Sequence, residues 1–63
     1  MRDKDRIQKF CNMLKSGWSS VPDLRFTQLF LNVVAAYERD TGKDAFYAED
    51  EEFFAFCKEY FSA

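Results

Sequence analysis

Histidine is absent from this 63-residue chain, which also holds one proline, two glycines and two cysteines. Without histidine, a serine, threonine or cysteine nucleophile lacks its commonest general base. Two glycines form no Gly-rich phosphate loop, and Cys11 and Cys57 stand too far apart to be a C-x-x-C redox pair. No run approaches the ~20 apolar residues of a membrane span, and the charged start Met-Arg-Asp-Lys-Asp-Arg has no apolar stretch of the signal-peptide kind. A chain this small also leaves little room for a ligand pocket of ~300 Å³ or more. These absences predict a protein that is not an enzyme, with no cofactor, no metal, no small-molecule substrate and no membrane span. Each cysteine sits at an apolar helical position, which predicts two buried free thiols in a reducing, cytoplasmic setting.

Aromatic residues are what the chain has in abundance, twelve in all, and seven of them fall between Phe46 and Phe61 among acidic side chains. A domain of this size buries only about 60% of the surface its unfolded form exposes. Each aromatic can bury roughly 150–250 Å². Rings in excess of the core must be wetted, paired with a second copy or covered by a partner. Dense helix packing and oligomerisation are the usual reinforcements for so short a chain.

The formal net charge of -2 is unevenly spread. Residues 1–39 hold Arg2, Lys4, Arg6, Lys9, Lys15, Arg25 and Arg39 against Asp3, Asp5, Asp23 and Glu38, a balance of +3. Residues 40–63 hold Lys43 and Lys58 against Asp40, Asp44, Glu49, Asp50, Glu51, Glu52 and Glu59, a balance of -5. The two halves can attract each other, within one molecule or between copies, with about 0–1 kcal/mol for each exposed pair.

Hydrophobic periodicity predicts a single all-α domain spanning 1–63, a compact three-helix unit with helices at about 3–19, 24–39 and 49–61. In the first, Ile7, Phe10, Cys11, Leu14 and Trp18 form one stripe, with Trp18 in core phase. Gly17, Ser19 and Ser20 weaken its end. Pro22 interrupts the chain, and Asp23 is placed to start the second helix. That helix carries Phe26, Leu29, Phe30, Val33, Val34 and Tyr37 on its main face and Leu24 and Leu31 off it, the pattern of a central helix touched by both neighbours. Gly42 is a left-handed stop. Phe46 or Tyr47 is positioned to staple onto the first turn of the third helix. In that helix Phe53, Phe54, Phe56, Cys57, Tyr60 and Phe61 cover an arc of roughly 160°. Phe54 and Phe56 lie at its margins, so one of them is expected in the open.

Trp18, Pro22-Asp23-Leu24-Arg25-Phe26, Gln28-Leu29, Asn32, and then Phe46-Tyr47 with Glu49-Asp50-Glu51-Glu52-Phe53 form an ordered pattern. It resembles a group of short uncharacterised bacterial and bacteriophage proteins with a W…PDLR-x-x-QL-x-x-N segment followed by F-Y-x-E-D-x-E-F. The likeness covers residues 18 to 54. It implies a helical fold and a microbial or phage source, with the host cytoplasm as the compartment for a phage product. It implies no activity.

The acidic run Glu49–Glu52 lacks the alternating spacing of a calcium loop and suits the positive end of a helix dipole. Gln28 and Asn32 share a helix face, as part of a polar patch or in a structural role. The basic residues of the first helix are interrupted by Asp3 and Asp5 and read as a solvated face. The function expected is a protein-interaction module that binds itself, as a homodimer, or a larger protein, through Leu31, Phe54, Phe56 and Tyr60 ringed by Glu51, Glu52 and Glu59. A phage-encoded acidic inhibitor of a host defence or nucleic-acid enzyme is the alternative, and weak nucleic-acid binding through the first helix a further one.

Overall fold

The computed structural model describes residues 3–62. Among them the chain forms α1 (Asp5–Ser19), α2 (Phe26–Thr41), a 3₁₀ turn (Ala45–Tyr47) and α3 (Asp50–Ser62), with no strand. This is the compact all-α three-helix domain predicted from periodicity, with a Cα radius of gyration of 11.7 Å.

Local chemistry sets the helix limits. At the start of α1 an Asp3 carboxylate oxygen accepts from the Asp5 backbone N–H at 2.9 Å. The second helix starts at Phe26, two residues later than expected, and Asp23 is not its cap. The N-cap is Arg25, with extended dihedrals. A guanidinium offers no acceptor to the free amides, so one half of a capping box forms: Gln28 Oε1 accepts from the Arg25 N–H at 2.8 Å. Gly42 ends α2 at φ 70°, its N–H bonded to the Glu38 carbonyl at 2.9 Å. A Cβ would be strained there. Asp50, Glu51 and Glu52 occupy the first turn of α3, where the helix dipole favours them.

The packing centre is α3, not α2, for α3 lies against both other helices. Between α1 and α3 the contacts descend in step: Arg6 pairs with Asp50 at 2.8 Å, Phe10 meets Phe54 edge-on at 5.2 Å, and Phe61 covers Gly17. Each pair is separated by the same number of residues, so α1 and α3 run parallel and in register. Gly17 is the tightest point, because an added Cβ would lie 2.5 Å from a Phe61 ring carbon. The glycine expected to weaken α1 is buried inside it and receives a ring.

Seating α1 through Arg6, Phe10, Met13 and Gly17 has a second effect. These residues centre roughly 80° around the helix from the stripe of Ile7, Phe10, Cys11, Leu14 and Trp18. Apart from Phe10, the stripe is turned away from α3. Gly17 is the one buried residue of α1, Ile7 is 54% exposed, and Cys11 lies in the open, contrary to the expectation of two buried thiols. Cys57 is buried, and burial pushes its thiol up to about 11. Both cysteines are free. Trp18 is half-buried and donates from Nε1 to the Leu24 carbonyl at 2.8 Å, tying α1 to the loop before α2.

The deepest core lies between α2 and α3, from Leu29, Val33, Ala36, Tyr37 and Cys57. Tyr37 is its hub: its side chain is fully buried and its ring meets Phe53 at 5.3 Å and Phe56 at 5.4 Å. At the rim its hydroxyl donates to Glu52 Oε1 at 3.0 Å, and Lys43 donates to the same oxygen at 2.9 Å. The Lys43 hydrogen bond, with that from Tyr37, holds the Glu52 carboxyl below the usual glutamate range. Burial, and then Glu52 alongside, raises the Tyr37 phenol, while Glu52 raises the Lys43 ammonium.

Candidate functional site

The residues expected to form a contact patch are not gathered into one. Phe54 is half-buried, with its ring against Phe10 and the Lys58 ammonium 6.0 Å from its centroid. Phe56 is half-buried between Tyr37 and Tyr60. Neither margin of the α3 arc is left open, because one is served by α1 and the other by α2. Tyr60, at 36% exposure, sits at the rim, stacked on Phe56 and edge-on to Phe61. Glu51 and Glu59 are exposed, and Glu52 is occupied by Lys43 and Tyr37. Leu31 is 62% exposed and lies on α2, whereas the other six are carried by α3.

The open apolar surface lies across α1, α2 and the 3₁₀ turn. Trp18 tilts onto Phe26 at 5.5 Å, and Phe26 stacks on Phe30 at 5.9 Å. Phe26 and Phe30 remain 41% and 46% exposed. Beyond Phe30 an open cleft of about 410 Å³ is lined by Phe10, Phe30, Val34, Phe46 and Phe53. On its far side Phe46 and Tyr47, 5.0 Å apart, are the most exposed rings of the molecule at 84% and 78%. Leu31 belongs to the edge of this band, since it lies about 60° around α2 from Val34 and one turn away. Grooves of this volume exceed the room expected of so short a chain, although they are open to solvent.

Phe46 and Tyr47 do not staple onto α3, and the reason is local. Asp44 Oδ1 accepts from the Phe46 N–H at 3.0 Å, and Glu38 Oε2 accepts from the Ala45 N–H at 2.8 Å. The Asp44 carbonyl then takes the Tyr47 N–H at 3.1 Å. These bonds wind Ala45–Tyr47 into a 3₁₀ turn against α2 and aim both rings outward. The turn is thus a braced mount for two exposed aromatics. The sequence signal was the Asp44 cap two residues before Phe46, a short-range device that competes with the staple.

Among the described residues, no group of three or more His, Cys, Asp or Glu side chains is placed to hold a metal ion. No helix there is long and apolar enough to cross a membrane. Comparison with protein-family models, with curated proteins and with solved structures finds no match.

Proposed function

We propose that this chain is a small helical protein-interaction module, without catalytic activity, that works through the aromatic band on α1, α2 and the 3₁₀ turn. The observation that carries the reading is Phe46, an 84% exposed ring on a hydrogen-bonded turn beside a cleft lined by Phe10, Phe30, Val34 and Phe53, with Asp50 at its edge. Aromatics on rigid mounts lose little entropy on contact and are favoured as binding anchors. The band also runs over several neighbouring rings, unlike the singly scattered apolar residues normal on a monomer surface. The resemblance over residues 18 to 54 adds a microbial or phage setting. The acidic-inhibitor reading draws less support, because Glu52 and Asp50 are engaged by Lys43 and Arg6.

A photo-crosslinking phenylalanine placed at position 46, and separately at the exposed position 59, tests the reading in living cells. The expected result is a discrete heavier adduct, of the chain with itself or with another protein, from position 46 and none from 59. Equal or absent adducts at the two positions defeat it.

A further inference from the structure

We infer that the occupant of the aromatic band is a second copy of the same chain, related by a two-fold axis passing near the cleft between Phe30 and Phe46. The inference rests on the binding reading above and names its partner. Four observations converge on it.

The first is area. The chain exposes 5171 Å² for a mass of 7.5 kDa, whereas a folded monomer of that mass exposes about 4,250 Å². The excess, roughly 900 Å², is close to the ~800 Å² that each partner contributes to a standard interface.

The second is shape. An isologous interface needs each surface to carry both the projecting and the receiving feature. Here Phe46 projects beside a cleft floored by Phe10, Phe30, Val34 and Phe53. Two copies facing each other can each place Phe46 over the other's cleft.

The third is charge at the two ends of the band. Lys15 borders the groove that contains Trp18, and Arg25 immediately precedes Phe26. At the other end Glu38 and Asp44 brace the turn that carries Phe46. A two-fold axis midway lays the basic end of one copy against the acidic end of the other, and the reverse. In that arrangement Lys15 and Arg25 of one copy face Glu38 and Asp44 of the other, which favours encounter.

The fourth is the helix that supplies part of the band. The apolar stripe of α1 is strongly periodic, yet the seam with α3 uses its flank and leaves Ile7 and Cys11 open. A second copy covers what the monomer's own core does not.

Sedimentation equilibrium of the full chain, from micromolar to millimolar concentration, tests the inference. The expected outcome is a reversible dimer of twice the 7.5 kDa chain mass. Phe46→Ser and Phe30→Ser should each raise the dissociation constant by about 30-fold or more, the size of a hot-spot loss. Arg25→Glu should raise it less and reduce its salt dependence, and Tyr60→Ser, outside the band, should leave it unchanged. Far-ultraviolet circular dichroism at low concentration checks that each variant keeps its helices. A wild-type chain that stays monomeric throughout overturns the dimer, as does a dimer indifferent to both Phe46→Ser and Phe30→Ser. A monomer that still crosslinks from position 46 to another protein would defeat this inference while leaving the binding module standing.

Discussion

Around α3, Phe54 meets Phe10, Phe61 covers Gly17, and Phe53 and Phe56 close on Tyr37, whereas across the molecule Phe26, Phe30, Phe46 and Tyr47 stand substantially in the open. The rings carried on α3 are thus largely covered, with Tyr60 at the rim. Phe46 and Tyr47, at the head of the same aromatic-rich segment but before that helix, are not. Density of aromatics along a sequence measures demand for burial, but neighbouring helices decide supply. Two helices flank α3, and between them they cover an arc wider than one partner could. On the band, α1 is turned by its seam and α2 is shielded from one side, so apolar residues there lack a cover.

Two leucines of α2 give the largest contrast between these regions. Leu29 is 3% exposed and Leu31 62%, two positions along the same helix. Leu29→Ala should destabilise the fold by about 2–5 kcal/mol, read from the urea midpoint. Leu31→Ala should change the stability of the monomer by no more than about 0.5 kcal/mol. Similar losses at both sites would mean that the band is part of the core.

Gly17 offers the next largest effect. Gly17→Ala drives a methyl into the Phe61 ring and should cost about 1–3 kcal/mol by overpacking, although alanine is the better helix former. Ser16→Ala, one residue earlier and exposed, should be neutral or slightly stabilising. If Gly17→Ala stabilises instead, the α1–α3 seam is looser than described.

A smaller effect is tied to pH. Because the folded state lowers the Glu52 carboxyl, its contribution is complete above the ordinary glutamate value and fades as pH falls through the lowered one. The difference in stability between the wild type and Glu52→Gln should therefore be largest near neutrality and shrink in acid. The raised Lys43 works in the opposite direction, its contribution present below the ordinary lysine value and lost as pH rises through the raised one. Denaturant titrations at neutral and acid pH, at low and high salt, check both the sign and the screening expected of partly exposed groups. A gap that widens in acid would show that Glu52 is not held as a carboxylate.

The elements themselves were legible in the sequence: three helices, their approximate limits, Gly42 as a stop and acids at the start of α3. Local signals fix such features. What periodicity does not carry is the direction in which an apolar face is turned. The two-sided apolar pattern of α2 suggests a central helix, yet Phe26 and Phe30 of its main face stand partly open, as does Leu31 off it. Cys11 shared the phase of a buried stripe, but Gly17 seated α1 by a different flank. That glycine, within an apolar periodic segment, was itself a legible sign of close helix approach. Among the exposed apolar residues, Leu31 was legible by its phase, whereas Phe46 and Tyr47 were hidden by an expected staple that the Asp44 cap forestalls.

The parallel seam has a consequence for the order in which the molecule assembles. Core residues Leu29, Val33, Ala36, Tyr37 and Cys57 all belong to α2 and α3, and the Tyr37–Glu52 contact spans only 15 residues. Docking α1 brings together groups separated by 44, as in Arg6 with Asp50. Closing the longer loop costs about 1 kcal/mol more in chain entropy, and α1 buries no large side chain completely in return. The hairpin of α2 and α3 is therefore the nucleus expected from topology, and α1 the part that arrives last and departs first. The chain's one tryptophan rides on that helix. Its indole meets the Leu24 carbonyl and the Phe26 ring, so its fluorescence will report the junction of α1 with the start of α2.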